Sequence, residues 1–194
     1  MIPLPLDGGG QGGGATRLAA VGQNIVLCGF MASGKTSVGQ ELADLTGRKF
    51  VDTDALIEEE AGATISEIFE RNGEGAFRNL ERAAIERISR QTGLIIALGG
   101  GAVLDRRNVD EVRQNAVVYW LKVTPEDVVS RIADIGDRPL LPNGLEGVAE
   151  LLRSREEAYA EAADVIIETG GKSVAEVARE IALDFQQRDP DERV

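Results

Sequence analysis

The sequence predicts an α/β fold, a three-layer α/β/α arrangement around a five-stranded parallel sheet. Two observations predict it. Five short apolar runs recur along the chain: NIVLCG from Asn24, KFVDTD at 49–54, LIIALGGG at 94–101, AVVYWLK at 116–122 and DVIIET at 164–169. Segments with helical periodicity or helix-start chemistry separate them, and such alternation predicts parallel strands with helices on both faces.

Each element has its own signal. After the first strand, Val38, Leu42 and Leu45 recur at helical spacing, and Gly47 closes that helix. KFVDTD reads as an extended strand ending in carboxylates. TISE at 64–67 is a capping box opening a short helix. Phe77, Leu80, Ala84 and Ile88 then mark one face of a longer helix. LIIA runs into three glycines. Following AVVYWLK, TPED at 124–127 offers Thr124 as the N-cap and Pro125 as the first helical residue. IGDRPLLPNG at 135–144 holds two prolines and two glycines, so it is a loop. Residues 146–162 are helical by composition. SVAE at 173–176 is a second capping box, opening a helix toward Gln186.

The expected organisation is a flexible Gly-rich leader over 1–22, a single domain over 23–188 with a lid around 134–146, and a frayed tail at 189–194. The 194 residues, 43% apolar and 28% charged, suffice for one real core. The net charge of −12 argues against nucleic acid or an anionic membrane as partner. It leaves room for an anionic small substrate, because a few arginines in one cleft outweigh the global sign. The chain has no histidine, which excludes histidine-based relays, triads and metal sites, and its one cysteine excludes an internal disulfide. The start has neither the basic nor the apolar region of a secretory signal, and no run spans a bilayer. The expectation is a cytoplasmic monomer, since no helix face is apolar beyond what the core uses.

The strongest motif is CGFMASGKTSVG, residues 28–39, which fits G-x-x-x-x-G-K-[ST] through Gly29, Gly34, Lys35 and Thr36. Its context is right: an apolar strand precedes it and an amphipathic helix follows. Gly29 and Gly34 let the loop turn its N–H groups inward, and the helix adds its positive end. Ala32, Ser33, Gly34, Lys35, Thr36 and Ser37 are therefore the candidate nucleotide-binding stretch. Lys35 would reach the β- and γ-phosphates, and Thr36 would bind Mg²⁺. This loop alone leaves ATPases, GTPases and small-molecule kinases open. No N-K-x-D guanine motif is present, which weakens the GTPase reading.

P-loop enzymes usually hold Mg²⁺ with an Asp at the end of another strand. Asp52 is the candidate, with Asp54 on the same face of an extended backbone and free to accept from an acceptor hydroxyl. Either could instead cap the helix suggested by ALIEEEAG, and the two roles are compatible. Gly99, Gly100 and Gly101 follow a parallel strand where ligands bind in such folds, and could bring backbone N–H groups close to a substrate. A plain turn is the alternative. Arg138, in a loop between glycines, suits a lid that stabilises a transferring phosphoryl group, or is simply a solvated charge. Arg78 could pair with Glu74 or Glu81 along its helix. By composition alone Arg155 is a surface partner for Glu150.

Taken together, GFMASGKTSVG, FVDTD, GEGAFRNLE, GGG, RPLL and R-x-x-x-Y-x-x-x-A-D, the last made of Arg155, Tyr159, Ala163 and Asp164, resemble the shikimate kinase family. The resemblance implies the nucleoside-monophosphate-kinase type of P-loop fold. It implies transfer of the ATP γ-phosphate to the 3-hydroxyl of shikimate, with Mg²⁺, on the route to aromatic amino acids. It also implies that Asp54 binds the shikimate hydroxyls, that Arg78 and Arg155 grip its carboxylate, and that Gly100 contacts it through the backbone. Arg138 would reach the phosphates from the lid, Arg131 would stack on adenine, and Lys172 would lie in the adenine-side loop. The catalytic set is then Lys35, Asp54 and Arg138. One departure is Glu157-Ala158, where many members carry Pro-Leu. The competing readings are a gluconate or nucleoside-monophosphate kinase of the same fold, and a nucleotide-binding regulator without turnover.

Overall fold

The computed structural model describes residues 22–135 and 144–188. Most of the expected leader, tail and lid, Arg138 included, lies outside them. The strands are β1 (Asn24–Cys28), β2 (Lys49–Asp52), β3 (Leu94–Ala97), β4 (Ala116–Lys122) and β5 (Val165–Glu168). They form one sheet in the order β2-β3-β1-β4-β5, every neighbouring pair parallel. The helices are α1 (Lys35–Thr46), α2 (Thr53–Ala61), α3 (Ile65–Ser89), α4 (Arg106–Val112), α5 (Pro125–Ile135), α6 (Gly144–Ala162) and α7 (Val174–Arg188).

The period-two alternation of the central strands explains the two layers. Ile25 and Leu27 of β1, with Val117, Tyr119 and Leu121 of β4, face one core, where Val38 and Leu42 of α1 and Ile181 and Phe185 of α7 close over them. Val26 and Cys28, with Val118 and Trp120, face the other, against Ile85 and Ile88 of α3 and Val148 and Tyr159 of α6. A small satellite core of Ile57, Ile68, Phe77 and Ala84 joins α2 to α3. Burial pushes the Cys28 thiol up to about 12, so it serves as a core side chain.

The capping boxes form as expected. The Thr64 hydroxyl accepts from the Glu67 N–H at 3.2 Å while Glu67 accepts from the Thr64 N–H at 2.9 Å. Ser173 and Glu176 repeat the exchange at 3.3 and 2.7 Å. Thr124 caps α5 by accepting from the Asp127 N–H at 3.2 Å. The short helix from Thr64 and the longer one after it are continuous but for a kink at Gly73, whose φ of 78° and ψ of 169° are not helical. Residues 102–112, unassigned from the sequence, form a 3-10 turn at Ala102–Leu104 and α4, which Asp105 caps by accepting from the Arg107 N–H at 3.0 Å.

Two faces differ from expectation. Leu45 and Leu80 are 37% and 41% exposed, whereas Glu81 is 1% exposed. The buried stripe of α3 therefore runs Phe77, Glu81, Ala84, Ile88, with a carboxylate in phase with the apolar residues. Among the described residues, no helix is long and apolar enough to cross a membrane.

Topology places the site. From β1 the chain goes out to β2 and returns to β3 beside β1, then adds β4 on the other side. The loops after β1 and β3 thus leave the sheet as neighbours at its carboxyl edge, where open α/β sheets bind ligands.

Candidate active site

The loop after β1 is a formed phosphate cradle. Gly29 sits at φ 145°, and a side chain there would begin 2.6 Å from the Leu121 carbonyl, so only glycine passes so close to β4. Gly34 caps α1 without any side-chain hydrogen bond, leaving the helix N–H groups for an anion. Lys35 folds back and donates to the Gly29 and Phe30 carbonyls, both at 2.9 Å. Burial lowers its pKa. Ser33 Oγ is buried with no partner among the described residues.

Thr36 and Asp52 meet: the threonine hydroxyl donates to Asp52 Oδ2 at 2.8 Å. Asp52 Oδ1 accepts the Asp54 N–H at 3.0 Å and the Ala55 N–H at 3.5 Å. The carboxylate thus divides its labour, one oxygen capping α2 and the other facing the P-loop. This capping also corrects the extended reading of VDTD. The strand ends at Asp52, the helix begins at Thr53, and Asp54 sits in its first turn rather than two steps along a strand. Hydroxyl and carboxylate oxygens are the hard donors Mg²⁺ takes, with phosphate and water completing its shell. The pair fits that ion.

Three elements converge on the glycine turn after β3. A side chain at Gly99 would begin 2.5 Å from Asp54 Oδ1 and 3.2 Å from Glu81 Oε1. One at Gly101 would begin 2.9 Å from a terminal nitrogen of Arg78. Tyr159 donates to the Gly100 carbonyl at 2.5 Å, and Arg155 does so at 3.5 Å, its guanidinium 5.7 Å from the centre of the Phe30 ring. Residues 54, 78, 81, 99–101 and 155 therefore border one space, next to the P-loop: a side chain at Gly100 would begin 3.7 Å from the Met31 nitrogen.

The charges in that space are unevenly satisfied. Arg78 donates to Glu81 Oε2 at 2.8 Å and to Glu74 at 3.1 and 3.3 Å, so both pairings open in the sequence are made. Asp54 Oδ1 and Glu81 Oε1 are buried without a hydrogen-bond partner. Burial pushes the Asp54 carboxyl up, helped by the charges of Asp52 and Glu58 and opposed by Lys35 and Arg78. Burial pushes Glu81 up too, against its bond to Arg78. Among the described residues no carboxylate pairs with Arg155, so its reading as a surface partner of Glu150 gives way to a guanidinium turned toward the turn. Burial holds the Tyr159 hydroxyl at about 12, a donor at all ordinary pH.

Gly99 differs from expectation in one respect. Its N–H donates to Thr53 Oγ1 at 2.9 Å, which leaves backbone donation to Gly100 and Gly101; what Gly99 contributes is the absence of a side chain against Asp54. Thr53 had no assigned role in the sequence reading, Glu81 only that of an ion-pair partner for Arg78, and Tyr159 only a place in the last motif. Of these, Glu81 carried a usable signal, its phase with Phe77, Ala84 and Ile88.

On the far side of the P-loop, Arg131 donates to the Ala32 carbonyl at 3.0 Å and to the Thr169 carbonyl at 3.4 Å. Lys172, in the loop between β5 and α7, pairs with Glu180 at 2.6 Å. Arg131 thus touches the P-loop directly, whereas the Lys172 ammonium is held by Glu180.

A P-loop at the switch point of a parallel sheet, facing a separate cleft of two arginines and buried carboxylates, defines a small-molecule kinase of the nucleoside-monophosphate-kinase type. The shikimate kinase family model matches residues 31–186, and the chain belongs to that family. It is 49% identical to the shikimate kinase of Moorella thermoacetica over 160 residues, 81% of this chain and 91% of that one. It is 44% identical to that of Caldanaerobacter subterraneus subsp. tengcongensis, covering 82% and 94%. Its fold superposes on the shikimate kinase of Acinetobacter baumannii, solved in complex with shikimate, with a TM-score of 0.81 at 35% identity over 87% of this chain and 96% of that one.

Proposed function

We propose that this chain transfers the γ-phosphate of ATP to the 3-hydroxyl of shikimate, giving shikimate 3-phosphate and ADP, through the residues gathered at the glycine turn. One observation carries the reading of the acceptor site. Arg78, Arg155 and Asp54, up to 101 residues apart, border a single space against Gly99–Gly101 beside the P-loop. Two planar guanidinium groups suit the one carboxylate of shikimate, since each can donate a parallel pair of hydrogen bonds. Asp54 Oδ1, buried without a partner, suits one of its hydroxyls.

The chain's own residues then act by placement and charge. Phosphoryl transfer passes through a loose transition state, so positioning and neutralisation supply most of the rate. Lys35 leaves its perch on the Gly29 and Phe30 carbonyls to meet the β- and γ-phosphates. Helix α1 and the P-loop N–H groups hold the rest of the triphosphate. Asp54 orients the attacking hydroxyl and takes its proton as the new O–P bond forms and the bond to ADP breaks. Its raised pKa suits a late proton acceptor. Arg138, in the expected lid, adds charge at the transferring group. Thr36 and Asp52 would hold Mg²⁺, which when bound would neutralise phosphate charge. Arg131 and Lys172 flank the nucleotide. The enzyme works as a cytoplasmic monomer on two small molecules.

An ADP-release assay with shikimate, gluconate and AMP in parallel tests this. Shikimate should be the acceptor by at least about a hundredfold, because the unpartnered buried groups reject a ligand that cannot satisfy them. Equal turnover with gluconate would move the acceptor elsewhere, and no turnover with any would leave a nucleotide-binding protein.

A further inference from the structure

Among the described residues, Ala32 is the one non-glycine residue at positive φ, 57°. That region is disfavoured for a residue with a Cβ, so something must hold it there. The peptide that follows Ala32 is fixed at both ends. Its carbonyl accepts from Arg131 at 3.0 Å, and its N–H, on Ser33, donates to the Phe30 carbonyl at 3.2 Å. The same Phe30 oxygen receives Lys35 Nζ at 2.9 Å. A short chain of hydrogen bonds thus links the Arg131 guanidinium, through two P-loop peptides, to the lysine of the cradle.

The other end of Arg131 is anchored on rigid ground. It donates to Thr169 at the carboxyl end of β5, whose N–H and hydroxyl both donate to the Lys122 carbonyl at the end of β4, at 3.0 and 3.1 Å. Thr169 is 3% exposed. Arg131 therefore ties the strained corner of the P-loop to the edge of the sheet.

We propose that Arg131 is a positioning residue for the triphosphate: it holds Ala32 left-handed, and so preshapes the phosphate cradle, whether or not the nucleotide carries adenine. The inference rests on the P-loop as the ATP site and deepens that assignment. A planar fork is needed, because one guanidinium must reach Ala32 and Thr169 together.

The probe is inorganic triphosphate with Mg²⁺, which has phosphates and no base, measured beside ATP by calorimetry. Arg131→Met should weaken both about tenfold, the ordinary loss for one charged hydrogen bond. Arg131→Lys, which can keep one arm, should weaken both by about threefold on the same scale, and it carries the comparison if the methionine variant fails to fold. Ala32→Gly in the Arg131→Met background should restore most of the loss, since glycine adopts this φ unaided. A generally damaged fold would not be rescued by that glycine. Weakened ATP binding with unchanged triphosphate binding would overturn the proposal in favour of adenine contact, and so would no change in either. If the wild-type chain bound neither probe, the failure would belong to the ATP-site assignment instead.

Discussion

The two halves of the cleft treat their charges differently. On the phosphate side, among the described residues, the side chains that reach the P-loop have partners within the protein: Lys35 on two carbonyls, Thr36 on Asp52, Arg131 on Ala32, with Ser33 Oγ and the first N–H groups of α1 left open. On the acceptor side Asp54 Oδ1 and Glu81 Oε1 are buried with none. The phosphate half is stable as it stands, and nucleotide binding there is an exchange of partners. The acceptor half carries an unpaid desolvation cost of ~1–3 kcal/mol per unpartnered group, which only a ligand with hydroxyl donors in the right place relieves. Affinity for triphosphate is generic, and discrimination lies with the acceptor side.

The largest effects should come from breaking the reaction on either side. Lys35→Ala should lower kcat by ~10²–10³, as removal of a donor to developing charge does, with the thermal transition little changed. Asp54→Asn should come next, at ~10² in kcat, the lower range for a lost proton acceptor, and it should not lower Tm because it removes a buried charge. A fall in Tm would mean that Asp54 is satisfied in solution and that the two halves do not differ. Arg78→Ala should act on substrate use instead, raising the KM for shikimate by ~10–100-fold while the KM for ATP moves little. If both KM values rose together, the cleft would be one electrostatic unit rather than two halves.

Glu81 sharpens the comparison through pH. Its carboxyl is raised when folded, so the folded chain binds its proton more tightly than the unfolded chain does. That contribution to stability is fully present below the ordinary glutamate range and is lost as pH rises through the raised value. Glu81→Gln removes this dependence. The Tm of the variant minus that of the wild type should therefore become more positive with rising pH across that window. A flat difference would show the Arg78 bond fully offsetting burial.

What was legible in the sequence follows the same divide. The phosphate half is contiguous: residues 29–36 are one loop and the start of α1, and its glycines, lysine and threonine need only local geometry to do their work. Capping boxes at Thr64 and Ser173 are local too. The acceptor half depends on distant contacts, such as Arg155 on a carbonyl 55 residues earlier, and helix charge patterning alone made that residue look like surface. The resemblance of ordered motifs named Arg78, Arg155 and Asp54, but it did not reveal Glu81. Drawing the α3 face through Leu80 placed a leucine where the fold buries a carboxylate. The VDTD boundary was missed for an electrostatic reason, since Asp52 captures two N–H groups and starts α2 at Thr53, inside the run the strand pattern claims.

The smallest effect should belong to Lys172. The resemblance puts it beside the adenine, but its ammonium is held by Glu180 at 2.6 Å, and both side chains are about a third or more exposed. Exposed pairs of this kind contribute ~0.2–1 kcal/mol and are screened by salt. Lys172→Ala should therefore change the KM for ATP by less than about threefold, and the difference should shrink further as salt rises. A change of tenfold or more that persisted in high salt would mean that Lys172 leaves Glu180 to contact the nucleotide directly. The exchange of partners inferred for Lys35 would then extend to the outer edge of the phosphate half, instead of ending at the P-loop.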